Sequence, residues 1–136
     1  MDELLSINPA NGEWLASHPV LAESGLALAV GRAFEAFAAW SAVPVADRAS
    51  KLRRLAAVLR ERSDVLARQA TREMGKRLAE ARAEVAKCAL ACDYYADRGP
   101  DFLVDTMVAT EAGRSLGGWQ PLGPILLVMP WNFPFL

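Results

Sequence analysis

The sequence has few of the side chains from which metal and redox sites are built. It contains one His and two Cys in 136 residues, and His18 lies far along the chain from Cys88 and Cys92. A structural zinc site takes four such ligands. The two Cys are four residues apart and share a helix face, where unpaired Cys commonly serves as a small buried apolar residue. We therefore expect no metal site and no redox pair.

An excess of charge of either sign is also missing. Fifteen Lys and Arg against 16 Asp and Glu give a net charge of -1, so the basic surface that nucleic acids or anionic lipids require is absent. No apolar stretch is long enough to span a bilayer, and Met1-Asp2-Glu3 lacks the basic start of a secretory signal. These features predict a soluble, cytoplasmic protein with no nucleic-acid or membrane partner.

Helical spacing of apolar residues dominates the middle of the chain. It predicts three helices, over residues 24–41 with Ser24 as N-cap, 47–74 and 78–96. Gly75 suits the end of the second helix, so Glu73-Met74-Gly75-Lys76 is interpreted as a helix end rather than a phosphate loop. The sequence Asp97-Arg98-Gly99-Pro100 should end the third helix.

Two hairpins are predicted on either side of these helices. Residues 7–15 indicate strand, turn and strand, and Asn11-Gly12 favours a type I′ turn. Residues 106–110 and 115–120 indicate the strands of a second hairpin. The order of hairpin, helices and hairpin is typical of an elaboration that precedes an α/β domain.

The last residues predict a buried strand followed by a ligand-binding turn. The apolar run 125–129 lies between Pro124 and Pro130, as expected of a strand buried on both faces. Asn132 follows it, at the carboxyl end where ligand chemistry occurs in such folds. A lone buried strand leaves its backbone groups unpaired, so we interpret the chain as the N-terminal piece of a larger enzyme.

These residues together resemble the aldehyde dehydrogenase superfamily along nearly the whole chain, and within it the bacterial succinate-semialdehyde dehydrogenases. The Pro130-Trp131-Asn132-Phe133-Pro134 element is the most specific match. The other matching motifs, in family order, are Asn8-Pro9-Ala10-Asn11-Gly12-Glu13, Ala33-Phe34 with Trp40, Arg48 with Leu52, Glu73-Met74-Gly75-Lys76, Glu80-Ala81 with Glu84-Val85, Tyr94-Tyr95-Ala96 and Pro121-Leu122-Gly123-Pro124.

The resemblance implies an α/β fold and a set of site residues. Residues 1–136 would be the N-terminal part of a Rossmann-like cofactor-binding domain: helices and hairpins leading into its first strand. In the family, a Cys thiolate attacks the aldehyde, and preorganised donors stabilise the resulting oxyanion. By resemblance, Asn132 is such a donor, Met129, Pro130 and Trp131 line the NAD or NADP site with it, and Phe133 lines the aldehyde tunnel.

The resemblance also implies what this stretch does not contain. The nucleophilic Cys, the general-base Glu and the Lys that contacts the cofactor ribose lie beyond Leu136 in the family, and Cys88 and Cys92 match no catalytic position. We therefore expect the catalytic domain to be absent and these 136 residues alone to be inactive. The hairpin at about 106–120 corresponds to the oligomerisation region, which implies a homodimer or homotetramer at full length.

Two other interpretations remain open at this point. The chain could be a stand-alone helical interaction module whose last strand joins the sheet of a partner. It could also be the product of a decayed gene. A reading frame that continues into a Lys-bearing strand and a Cys-bearing loop would favour the enzyme.

Overall fold

Helices form most of the chain, with one small hairpin before them and one after. The computed structural model describes residues 3–111 and 113–136. The elements in these residues are β1 (Glu3–Ile7), β2 (Trp14–Pro19), α1 (Glu23–Ser41), α2 (Val45–Glu61), α3 (Ser63–Met74), α4 (Leu78–Phe102), β3 (Thr106–Val108) and β4 (Ser115–Gly117).

The first hairpin pairs β1 with β2 antiparallel, so that Leu5 faces Ser17. Its turn is not the type I′ turn that Asn11-Gly12 predicted, because that turn needs a positive φ at both residues and only Gly12 has one, at 74°. The side-chain oxygens of Asn8 and Asn11 instead accept the backbone N–H groups of Ala10 and Glu13, each at 3.0 Å. A longer loop closed by these Asx turns replaces the two-residue turn.

The predicted helix over 47–74 is two helices in the structure. Arg62 separates α2 from α3 with φ of -95° and ψ of 9°, which is far from the helical ψ near -42°. Hydrogen bonds continue on both sides, since Arg62 N–H donates to the Val58 carbonyl and Leu66 N–H donates to Arg62. The helical hydrogen bonds therefore continue across Arg62, although the backbone of this residue leaves the helical conformation.

Helix boundaries differ from prediction at two further places. Ser24 is not the N-cap of α1, because the helix begins at Glu23 with Ala22 before it. Helix α4 continues through Pro100 to Phe102 instead of ending at residue 96. Pro100 has no N–H to donate to the Ala96 carbonyl, and the Arg53 guanidinium donates to that carbonyl instead, at 3.3 Å.

The core lies where α2 and α3 pack on α4, and it consists of small side chains. Its buried apolar residues are Ala49, Ala56, Ala67, Ala70, Ala81, Val85, Cys88, Ala89 and Ala96. Val85 is the largest side chain that is fully buried, whereas α1 has no buried residue. The helices therefore approach closely along α4, and this places the end of α3 beside the middle of α4.

The buried strand predicted at 125–129 is not formed. These residues belong to no strand, and Leu126 and Val128 are more than 80% exposed. Within the described residues, β1–β2 and β3–β4 are separate two-stranded sheets, and neither lies beside this segment as a third strand. The prediction was wrong for these residues because a buried strand requires neighbours that pair with its backbone.

Candidate active site

The Pro-Trp-Asn-Phe-Pro segment folds as a turn after the exposed apolar run. The Phe133 N–H donates to the Pro130 carbonyl at 3.1 Å, which places Trp131 and Asn132 at the tip. Asn132 is exposed, and no hydrogen bond engages its side-chain amide among residues 3–111 and 113–136. The amide is therefore available as a neutral hydrogen-bond donor.

Lys76 holds this turn from one side. Helix α3 ends at Met74, and the left-handed conformation of the next residue, Gly75 (φ 77°), turns the chain. The Lys76 ammonium donates to the Asn132 carbonyl at 2.9 Å and lies 4.1 Å from the centre of the Phe133 ring, a cation–π distance. The same ammonium forms an ion pair with Glu84, in which the two side chains are 9% and 2% exposed.

Glu84 and Cys88 hold the next part of the segment. One Glu84 carboxylate oxygen accepts the Phe135 N–H at 2.8 Å, and the Cys88 thiol donates to the Phe135 carbonyl at 3.1 Å. Glu84 and Cys88 are four residues apart on α4, so they lie on one face, one turn from each other. The Phe135 side chain packs against the buried alanines of α3 and α4.

Cys88 is suited to this structural contact and not to nucleophilic attack. Burial raises the pKa of its thiol, and the nearby Glu84 carboxylate raises it further. A reactive Cys needs the opposite shift, because the thiolate is the nucleophile. The thiol thus stays protonated and can donate to Phe135, in agreement with the interpretation of Cys88 as a buried helix residue.

The predicted site residues lie together but differ in their surroundings. Met129, directly before the turn, and Trp131, within it, are 43% and 77% exposed. Trp131 also borders a cavity of about 610 Å³ between the first hairpin and α3. Phe133 borders a second cavity, of about 400 Å³, beside Lys76 and α4. The cofactor and tunnel roles of these residues remain predictions.

Sequence reasoning missed Lys76, Glu84 and Cys88 as neighbours of the motif. One signal was available: Glu84 lies on the apolar stripe of α4 with Ala81, Val85 and Cys88, where a charged residue must find a partner. The partner itself could not be identified from the sequence, because Lys76 and Phe135 are brought to Glu84 by the packing of separate segments.

Across residues 3–111 and 113–136, no group of three or more His, Cys, Asp or Glu could hold a metal ion. In the same residues, no single helix is long and apolar enough to cross a membrane. Helices α1 and α2 reach the required length and apolarity only as a pair, and they are bent by 117°.

The chain belongs to the aldehyde dehydrogenase family, whose sequence model matches residues 2–136. It is 42% identical to a probable succinate-semialdehyde dehydrogenase [NADP(+)] of Synechocystis sp., over 97% of this chain and 29% of that protein. It is 43% identical to the succinate semialdehyde dehydrogenase [NAD(P)+] Sad of Escherichia coli, over 96% and 28%. The chain thus spans under a third of the length of these relatives.

A solved structure shows the same arrangement of elements. The succinic semialdehyde dehydrogenase of Streptococcus pyogenes, in complex with NADP+, superposes with a TM-score of 0.89 at 36% identity. The match covers 96% of this chain and 29% of that one. The predicted fold class is confirmed: helices and small hairpins form the N-terminal part of the aldehyde dehydrogenase fold. The family and the likeness to succinate-semialdehyde dehydrogenases are confirmed with it.

Proposed function

We propose that this chain is the N-terminal part of an NAD(P)-dependent aldehyde dehydrogenase that oxidises succinic semialdehyde to the carboxylic acid. The observation that carries the proposal is the identity of about 40% to proteins named for that activity, over nearly all of this chain. The Pro130–Pro134 motif is part of the matched region. At full length, the enzyme would use a Cys thiolate that forms a thiohemiacetal with the aldehyde.

Asn132 would supply an oxyanion donor to this reaction. Its amide donates hydrogen bonds at any physiological pH, because it does not titrate. Its exposed position at the tip of a turn leaves the donor free to face a substrate brought by the rest of the enzyme. A donor aimed at the developing negative charge lowers the barrier without reorganising at the moment of reaction.

The residues before Asn132 fit a dinucleotide. Met129, Pro130 and Trp131 form an exposed apolar stretch, and an exposed Trp131 ring offers a flat surface to an aromatic base. When bound, NAD or NADP would accept the hydride. Phe133 would line the path of the aldehyde, held in place by the Lys76 ammonium over its ring.

The remaining parts of the reaction would come from outside these 136 residues. Cys88 and Cys92 lie on helix α4, and Cys88 is occupied by its contact with Phe135, so neither is proposed as the nucleophile. We therefore expect residues 1–136 to have no activity alone. The hairpin of β3 and β4 would contribute to a homodimer or homotetramer of the full-length enzyme.

The proposal is tested by assaying the purified full-length protein for NADH or NADPH formation. Succinic semialdehyde is compared with a short aliphatic aldehyde, each with NAD+ and with NADP+. We expect the higher kcat/KM for succinic semialdehyde with at least one cofactor, and no turnover from residues 1–136 alone. A folded full-length protein that oxidises neither aldehyde would contradict the proposed activity, and a preference for the aliphatic aldehyde would contradict the substrate.

A further inference from the structure

We propose that Lys76 and Glu84 are positioning residues for Asn132: their buried ion pair fixes the main chain of residues 132–135, and so sets where the Asn132 amide points. This inference rests on the proposed function, since it concerns the same oxyanion donor. It assigns a role to two charged residues, one just after α3 and one on α4, that do not belong to the motif itself.

The contacts of the pair are directed at the backbone of the motif segment. Lys76 donates to the Asn132 carbonyl at 2.9 Å, and Glu84 accepts the Phe135 N–H at 2.8 Å. These two bonds attach both ends of the four-residue stretch 132–135. Because they are made to the peptide groups, they constrain the path of the chain and leave the Asn132 side chain free.

Burial distinguishes this pair from the other ion pairs that the described residues form. Lys76 and Glu84 are 9% and 2% exposed, whereas Arg82 and Asp64, which also join α4 to α3, are about half exposed. Burying two charges has a large desolvation cost, so such a pair is weak support for stability alone. The cost is offset only if the remaining hydrogen-bonding capacity is used, and here it is used on residues 132 and 135.

An oxyanion donor must be positioned more precisely than most side chains. The donor must lie at hydrogen-bond distance from the position that the developing charge will occupy, and a displacement of about 1 Å can cost on the order of a hundredfold in rate. Asn132 is at the tip of a turn, and within the described residues no hydrogen bond holds its side chain there. The main-chain bonds from Lys76 and Glu84 supply that constraint.

The test uses the full-length enzyme with the double substitution Lys76→Met and Glu84→Gln. Gln has the shape of Glu, Met is one atom shorter than Lys, and the two replacements remove both charges together, so no unpaired charge is left buried. We expect the melting temperature and the cofactor Kd to change little while kcat falls about tenfold or more. Glu80→Gln is the matched control, because Glu80 precedes Glu84 by one turn but pairs with Arg77 instead of the segment.

A double-mutant cycle with Asn132→Ala separates positioning from a general structural role. If the pair acts through Asn132, the double substitution lowers kcat in the wild-type background and has almost no further effect once Asn132 is Ala. Equal losses in both backgrounds, or a kcat like that of Glu80→Gln, would overturn the inference. If Asn132→Ala itself keeps full turnover, the proposed function of Asn132 is wrong, and this outcome is distinct from the other two.

A second variant covers the case in which the double substitution does not fold. Lys76→Arg keeps the positive charge next to Glu84 but replaces a compact ammonium with a planar guanidinium, which cannot hold the same position over Phe133 and beneath Asn132. We expect a lower kcat in this variant also, and again only when Asn132 is present. A wild-type kcat in Lys76→Arg together with misfolding of the double variant would mean that the pair is structural.

Discussion

Asn132 combines a constrained main chain with an unconstrained side chain. Its carbonyl accepts a hydrogen bond from Lys76, while its amide has no partner in the described part of the chain. A side chain that is held only by its backbone is ready to interact with a ligand without first breaking another bond. At the scale of single residues, this is the arrangement that a preorganised donor requires.

The first prediction concerns this donor. In the full-length enzyme, Asn132→Ala would remove the proposed oxyanion donor and leave the proposed nucleophile and the cofactor in place, so kcat should fall about a hundred- to a thousandfold, or roughly 3–4 kcal/mol. Cofactor affinity should stay close to that of the wild type. Steady-state kinetics on succinic semialdehyde measures the loss, with Cys92→Ser as the control that keeps its turnover. Full activity of Asn132→Ala would remove Asn132 from the chemistry.

The second prediction concerns Gly75, which brings Lys76 into position. Its φ of 77° is unfavourable for any residue with a Cβ, and an added Cβ would lie 3.1 Å from Cγ of Pro9. Gly75→Ala should therefore lower the free energy of unfolding by about 1–2 kcal/mol. Gly31→Ala is the control, since a Cβ at that point inside α1 meets nothing within 4 Å, and it should be neutral or slightly stabilising. Urea unfolding of the full-length protein compares the two, and equal stabilities would contradict the argument.

At the scale of elements, Arg–Asp pairs hold α4 to the two helices that pack on it. Arg53 and Arg60 on α2 pair with Asp97 and Asp93 on α4, and Arg82 on α4 reaches back to Asp64 on α3. The core between these helices is made of small residues, so the charged pairs surround a close contact. These partners could not be paired from the sequence, because they lie 18 to 44 positions apart along the chain.

The third prediction follows from Asp64. Its hydrogen bonds with Arg82, and then with Arg68, lower the pKa of this carboxyl below its ordinary value of 3.8. A lowered pKa in the folded state means that the pair stabilises the protein above that ordinary value and that this contribution is lost as the pH falls through the folded-state pKa. Asp64→Asn should therefore lower the melting temperature slightly at pH 7, and the difference from wild type should shrink toward pH 3.

Melting curves of the full-length protein between pH 3 and pH 7 measure this convergence. Asp47→Asn is the matched control, because Asp47 occupies the first turn of α2 as Asp64 occupies that of α3, but it forms no ion pair within the described residues. A difference between wild type and Asp64→Asn that stays constant with pH would show that the carboxylate charge is not what stabilises this contact.

At this scale, the features that the sequence predicts are those that depend on residues close along the chain. Apolar spacing identified the helices, and Gly75 identified the end of α3, because these depend on residues close in sequence. The bend at Arg62 and the extension of α4 through Pro100 depend on contacts between helices, such as Arg53 with the Ala96 carbonyl. The same holds for the site: the motif was recognisable, whereas the residues that hold its main chain lie 47 to 56 positions away in sequence.

The whole molecule exposes far more surface than a folded protein of its mass. The accessible surface is 10642 Å² for 14.8 kDa, whereas a folded monomer of that mass exposes about 7,000 Å². Many large apolar residues are exposed, including Leu122 and Leu126 in the segment before the motif. A surface of this kind is suited to contact with further protein, which supports the proposal that these residues act within a longer chain.

The fourth prediction concerns residues 1–136 expressed alone. Exposed apolar segments without a strand partner promote association, and Val85 is the largest side chain that is fully buried. We expect aggregation or a loosely packed helical state that binds a hydrophobic dye. Size-exclusion chromatography and a thermal melt decide the point: a monodisperse monomer with a sharp cooperative transition would contradict the proposal that these residues are only part of the folded enzyme.

The fifth prediction concerns assembly. Trp119 follows β4 and is 68% exposed, on the hairpin that we propose contacts another subunit. In the full-length enzyme, Trp119→Asp places a charge in that contact and should convert the dimer or tetramer to a smaller species. Light scattering measures the mass. Trp14→Asp is the control, because Trp14 is similarly exposed, at 61%, on the first hairpin. An unchanged mass for Trp119→Asp would show that this hairpin is not the assembly contact.

The buried alanines of α4, Ala81, Ala89 and Ala96, form a seam at which substitutions that add volume are tolerated much less well than those that remove it. A buried Ala such as Ala81 or Ala89 can lose no more than a methyl group, while any larger replacement has to push two helix backbones apart. Most destabilising substitutions along this seam should therefore be those that add volume. In cores built from Leu and Phe, by contrast, most destabilising substitutions remove volume. A selection for variants of higher stability should yield few stabilising substitutions in this seam and more on the exposed faces of α1 and the first hairpin.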